Sequence, residues 1–185
     1  MNRKSIGIAA ASLFAATLAF AQHDAASLAA SKTPPLSPPA TTSITLKGGK
    51  KVTINYSAPS KRGRAIMGGL VPFDKVWRTG ANAATTLITE ADLKIGTLHV
   101  PAGTYTLYTI PTAKAWTLIV NKKTGQWGTV YEESEDLGRT PMKVTEKKAT
   151  TETFVIKLVP AWKESQATLT MTWENTEASV DIALD

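Results

Sequence analysis

The sequence predicts an all-β chain: an antiparallel β-sandwich of about eight to nine strands with one short helix in a long loop. Three observations carry this. Apolar and polar residues alternate with period two over several short runs. Glycine, proline and lysine turns separate those runs at hairpin distances. The C-terminal third alternates most clearly, with Ala167, Leu169, Met171 and Trp173 on one face and Thr168, Thr170, Thr172 and Glu174 on the other. One apolar face and one wet face suit antiparallel sheets packed on one another.

Taken in order, Asn2-Arg3-Lys4, the apolar run 6–20 and the small residues at Ala19-Phe20-Ala21 have the form of a secretory signal peptide over residues 1–21. The run is too short to span a bilayer comfortably, so a periplasmic or secreted protein without a membrane span after cleavage is expected. Residues 22–40 are rich in Ala, Ser and Pro and lack apolar bulk, which predicts a flexible lead-in. The β-sandwich domain is expected over 41–185.

Within it, 44–46 and 52–56 flank Lys47-Gly48-Gly49-Lys50 as a first hairpin, which Pro59 ends. A strand follows at 85–89. The runs 93–95 and 98–100 flank Gly96-Thr97, a two-residue turn with glycine first. Turns at Pro101-Ala102-Gly103 and 111–113 lead into strands at 104–110 and 116–121. Residues 122–150 predict a long loop with a strand around 142–147. Phe154, Ile156 and Leu158 then share a face, and a turn at Asn175-Thr176 separates the 167–174 strand from Ala178, Val180, Ile182 and Leu184. The helix is expected where Pro72 can occupy a first turn, with Phe73 and Trp77 four apart.

Composition narrows the chemistry. The 185 residues carry a net charge of +6, from 21 basic and 15 acidic residues, but the lysines are scattered over hairpin tips. That pattern blunts sheet edges and does not predict a nucleic-acid surface. There is no cysteine, so disulfides, thiolate metal sites and cysteine nucleophiles are excluded. His23 and His99 are the only histidines, too few for a zinc site, and a serine triad would have to be built on His99. No cofactor or metal is expected.

The stretch 63–82 stands apart, with glycines, Arg64, Arg78, Trp77 and Asn82 and no strand period. Loops carrying unusual side chains on a rigid sheet are where function usually sits. A guanidinium at Arg78 can fork onto a carboxylate or phosphate while an indole walls the site and Asn82 adds a hydrogen bond. The structural alternative has Arg78 and Arg64 tying down loop carbonyls. The glycines match neither the P-loop nor the dinucleotide spacing and are read as turn formers. Tyr56, Arg64, Trp77, Arg78 and Asn82 are the candidate ligand-binding residues. Trp116 and Trp173 are in phase with the core, whereas Trp127 and Trp162 are surface candidates.

The run Tyr56-Ser57-Ala58-Pro59, then Gly63-Arg64, Gly68-Gly69-Leu70-Val71-Pro72-Phe73 and Val76-Trp77-Arg78-Thr79-Gly80-Ala81-Asn82 resembles a bacterial exported family, domain of unknown function 2911. Pro101-Ala102-Gly103-Thr104-Tyr105-Thr106-Leu107, followed by Trp116-Thr117-Leu118-Ile119 and Asn121, matches its second hallmark. The resemblance covers roughly 36–184 and implies a compact, mainly β domain with no established activity. Members often have an acidic residue after that asparagine, where this chain has Ala83. A catalytic carboxylate is therefore not expected there.

The first functional expectation is a non-catalytic exported module binding a small anionic or polar ligand, or a partner, through 63–82. A second is a carboxylate-dependent hydrolase acting on envelope carbohydrate or ester, drawing on Asp74, Glu90, Asp92 or the 132–136 cluster. A third is an envelope structural protein that meets another protein or a glycan. The sequence leaves the oligomeric state open.

Overall fold

The computed structural model describes residues 36–185. The expected signal peptide and residues 22–35 of the expected lead-in lie outside that range. Nine strands follow one another: β1 (Pro39–Leu46), β2 (Lys50–Ser57), β3 (Thr85–Thr89), β4 (Leu93–Ile95), β5 (Leu98–Val100), β6 (Gly103–Pro111), β7 (Ala115–Asn121), β8 (Asp136–Pro160) and β9 (Gln166–Leu184). All pair antiparallel in one sheet, in the order β1-β2-β3-β6-β7-β8-β9-β4-β5. The chain is all-β and the sheet is not closed. Strand pairing draws one continuous sheet where two separately paired sheets were expected.

A single sheet buries a core here because it curls. Ile156 N–H donates to the Tyr56 hydroxyl at 3.1 Å and Leu158 N–H to Thr42 Oγ1 at 3.4 Å, so the far half of β8 lies against β1 and β2. One core then collects Val52 and Ile54 from β2, Leu118 and Val120 from β7, Phe154 and Ile156 from β8 and Leu169 and Met171 from β9. Alternation selected these residues; curvature brought them together.

Three local expectations are corrected. Strand β1 begins at Pro39, paired with Ser57, so the end of the expected lead-in belongs to the sheet. The long loop expected over 122–150 ends at Glu135, and the turn at Asn175-Thr176 does not hold. Strand β8 is continuous from Asp136, and β9 runs through 175–176 without turning. The irregularity lies opposite, as register shifts in β8 between Glu146 and Thr151 and between Thr151 and Val155. Asn175 serves that bulge: its Nδ2 donates to Lys147 O at 2.9 Å, and its Oδ1 accepts from the Thr150 hydroxyl at 3.0 Å. Residues 145–151 are charged or small because this part of the arm covers no core, which removes the period-two signal.

The expected helix at 72–77 is also absent. Among the described residues the only helical pieces are 3₁₀ turns at Lys47–Gly49 and Glu133–Glu135. Strand β3 pairs with β6 only as far as Leu107, which leaves the Thr109 and Pro111 backbone groups open on that edge. The loop fills it. Asp74 N donates to Pro111 O at 2.9 Å, and Trp77 and Thr109 exchange both backbone bonds, at 2.7 and 2.9 Å. Ladder bonds satisfy the edge, whereas one isolated helical turn carries a nucleation cost with little return.

Candidate functional site

The long loop between β2 and β3 is pinned before it forms anything. Ser60 bridges to Thr153, with Lys61 N donating to Glu152 O at 2.7 Å and Phe154 N to Pro59 O at 2.8 Å. The Glu174 carboxylate, projecting from β9, accepts from Ile66 N at 3.2 Å and pairs with Lys61 Nζ at 3.2 Å. Burial opposes the ionisation of Glu174. The Lys61 hydrogen bond, the Ile66 and Met67 amides and the Lys61 charge outweigh it, holding the carboxyl below its ordinary range.

Trp77 is anchored still more firmly. Its ring stacks on Trp173, with centroids 6.0 Å apart and planes 18° from parallel, and packs edgewise on Trp116 and Phe154. The indole N–H donates to Gly80 O at 3.2 Å. Gly80 is required by space: a Cβ there would lie 2.9 Å from Ser57 O. Just before it, Thr79 is fully buried and left-handed at φ 56°, a costly state for a β-branched residue. Hydrogen bonds hold it there, from Thr79 Oγ1 to Thr109 Oγ1 at 3.2 Å and from the Thr85 hydroxyl to Thr79 O at 2.7 Å. Among the described residues, four of the five non-glycine residues with positive φ fall in this region: Arg62, Asp74, Thr79 and Asn82. Strained backbone of this kind collects at functional sites, where the surroundings over-determine it.

Beneath the loop opens a cleft of about 320 Å³. Four of the five candidate residues line it: Arg64, Trp77, Arg78 and Asn82. Tyr56 does not. Its ring packs on Phe154 inside the curl and its hydroxyl is spent on Ile156, so it is a tie between β2 and β8. The remaining wall comes from Leu36, Pro59, Leu70, Val71 and Trp173, with Ser37, Gly80 and Ala81.

The two arginines differ. Arg64 is exposed and uses Nε and Nη2 on the carbonyls of Lys61 and Ser60, at 3.0 and 2.8 Å. That is the structural tie foreseen for such a residue, with the remaining guanidinium N–H groups left over. Arg78 has neither an ion pair nor a side-chain hydrogen bond among the described residues, and its Nε is buried without an acceptor. Its stem is clamped under the 126–128 turn: a Cβ at Gly128 would lie 2.0 Å from Arg78 Cδ and 2.6 Å from Asn82 O. Asn82 carries its amide N–H to Ser37 O at 3.4 Å and receives Gly128 N on its carbonyl at 3.1 Å.

No Asp or Glu lines the cleft. The carboxylates considered for catalysis lie elsewhere. Glu90 Oε2 accepts from Lys51 N at 2.9 Å and Asp92 Oδ1 from Ala102 N at 2.7 Å, as turn ties, while Asp74 is exposed in its own turn. Among the described residues there is no cluster of three His, Cys, Asp or Glu able to hold a metal ion, and no helix long and apolar enough to cross a membrane. Trp116 and Trp173 are buried and Trp127 and Trp162 exposed, as their positions predicted. Gly128, Leu36 and Leu70 were not singled out in the sequence. Leu70 belongs to the loop itself, whereas only the fold brings Gly128 and Leu36 to it.

Curled antiparallel sheet, strained crossover loop and arginine-bearing cleft together define an all-β domain with one organised loop site. The chain belongs to the family described as protein of unknown function (DUF2911), whose model matches residues 37–182. No curated protein and no solved structure gave a significant match.

Proposed function

We propose that this chain is an exported, non-catalytic binding module that takes a small anion at Arg78, in the cleft formed by the 63–82 loop. The halves of the curled sheet serve as the two layers of a sandwich and hold the loop rigid. One observation carries the reading: a guanidinium with no acceptor among the described residues opens on a cleft that none of their carboxylates lines. A partly buried cation lacking an acceptor is costly, and a ligand carboxylate or phosphate relieves it through charge-assisted, potentially bidentate bonds. Arg64 and the Asn82 side chain stand on the same cleft to orient the anion. The strain at Asp74 and Thr79 supports the assignment, because these two positive-φ residues lie on either side of Arg78. Hydrolysis by paired carboxylates has no support at this cleft.

Calorimetric titration of the protein with small carboxylates and inorganic phosphate tests the proposal. Arg78→Ala is expected to weaken binding about ten- to a hundredfold, the worth of one charged hydrogen-bonding group, with an unchanged circular dichroism spectrum. Arg78→Lys should restore part of the affinity. Equal binding by Arg78→Ala overturns the proposal. So does an Arg78→Ala chain that unfolds while Arg78→Lys folds and binds no anion more weakly than the parent.

A further inference from the structure

Resting on the reading that Arg78 receives an anion, we infer that the natural ligand is a small organic carboxylate with an apolar tail. The polar groups of the cleft are few: two guanidinium groups, one amide and Ser37. The other side chains on the wall, those of Leu36, Pro59, Leu70, Val71, Ala81 and the two tryptophans, are hydrocarbon or indole, with backbone groups between them. Leu36 and Leu70 stand on this wall yet remain 68% and 46% exposed, which leaves large apolar side chains uncovered beside the unpaired cation. The backbone of the exposed Trp127 bridges to Ala83, next to Asn82, although its side chain is not part of the cleft wall.

A bare inorganic anion would satisfy Arg78 and leave Leu36 and Leu70 in water. A sugar's hydroxyls would need acceptors as well as donors, and the two charged side chains of the cleft, both arginines, only donate. An amphiphilic carboxylate satisfies both parts: its head meets the guanidinium and its chain removes the leucines from solvent. The cleft volume lies near the lower limit of small-molecule sites, which suits a short aliphatic or single-ring acid. With no acidic wall residue to repel it, one negative charge is well placed.

Acetate, butyrate, hexanoate, octanoate, octanamide and inorganic phosphate, titrated one at a time into the protein with calorimetry and tryptophan fluorescence, form the test. Affinity should rise about fourfold per buried methylene until the cleft is filled. Octanamide should bind at least about tenfold more weakly than octanoate, for want of the charge. Leu36→Ser and Leu70→Ser, both at exposed positions, should weaken octanoate several-fold and leave acetate unchanged. A flat chain-length series, with acetate or phosphate as tight as octanoate, overturns this inference and leaves the anion site standing. Octanamide equal to octanoate overturns the role of Arg78 instead. Failure of every anion to bind overturns both. A peptide with a free C-terminal leucine that binds far more tightly than octanoate would also overturn the inference, since it would make a protein terminus the ligand.

Discussion

Arg78 and Arg139 each stand where a loop is laid over the sheet, and their surroundings are opposite. Arg139, on β8, reaches the 122–135 loop that covers the outer face of β6 and β7 above Tyr108 and Ile119. Its Nε donates to Asp136 at 3.0 Å, and its Nη2 donates to the Tyr131 hydroxyl at 2.9 Å and to Glu133 at 2.6 Å. Tyr131 in turn donates to Asp136 at 2.8 Å. Every charge there has an internal partner, and the result is a latch. Arg78 has a clamped stem but, among the described residues, no acid and no carbonyl that accepts from it. The difference teaches what a purely structural arginine looks like in this molecule, and Arg78 does not look like one.

The largest expected effect concerns what the two regions share, a packed aromatic base. Trp77→Ala should cost about 3–5 kcal/mol in urea denaturation, because the other aromatic rings cannot collapse into the space. A loss under about 1 kcal/mol would mean that the indole is a removable lid, against the usual cost of such cavities. Next comes Gly128→Ala, whose methyl collides with the Arg78 stem and a backbone oxygen. It should cost about 1–3 kcal/mol and displace Arg78, lowering anion affinity while the Arg139 latch stays intact. Chemical shifts of Tyr131 and Arg139 would show any breach of that independence.

Removing the arginines one at a time sharpens the contrast. Arg139→Ala should cost about 1 kcal/mol, a figure kept small because its side chain is 37% exposed and screened. Arg78→Ala should cost less than that and change only anion binding. If Arg78→Ala proves the more destabilising of the two, the comparison breaks and Arg78 becomes architecture.

The smallest effects are in pH. Burial, with the Asp136 hydrogen bond and charge behind it, pushes Tyr131 from its ordinary 10.0 up to about 12. The folded state therefore keeps a proton that the unfolded chain releases. Stability from this source is complete below 10.0 and falls as pH rises from there through about 12. Tyr131→Phe should flatten that alkaline decline. Glu174 behaves in the opposite sense. Its folded pKa lies below the ordinary 4.5, so its contribution is present above that value and is lost as pH falls through the lower one. Glu174→Gln should reduce the acid slope of unfolding and loosen the 61–67 segment, which hydrogen exchange of Ile66 and Met67 would report.

Several parts of this were legible residue by residue. The Gly96-Thr97 turn was readable because glycine tolerates its φ of 58° and apolar pairs flank it, and Ile95 does face Leu98. Burial of Trp116 and Trp173 followed from phase alone. The loop stood out because Arg64, Trp77, Arg78 and Asn82 break the strand pattern together, and these four line one cleft. The continuous β8 and β9 were not legible, since their irregularity depends on how two strands slip past each other. Nor was the fate of 72–77, since proline and aromatic spacing suit a helical turn until an open strand edge offers better hydrogen bonds.

By itself the sequence determined the all-β class, the inward residues of most strands and the one loop that departs from them, because side-chain alternation and turn chemistry are local properties. Tertiary structure alone decided that the strands form one curled sheet, that Tyr56 turns inward, and that Arg64 is occupied while Arg78 is not. Those outcomes depend on which backbone carbonyl or carboxylate arrives within 3 to 4 Å after residues a hundred positions apart have met. A guanidinium carries the same charge in either case; its partners, set by the fold, separate a tie from a binding site.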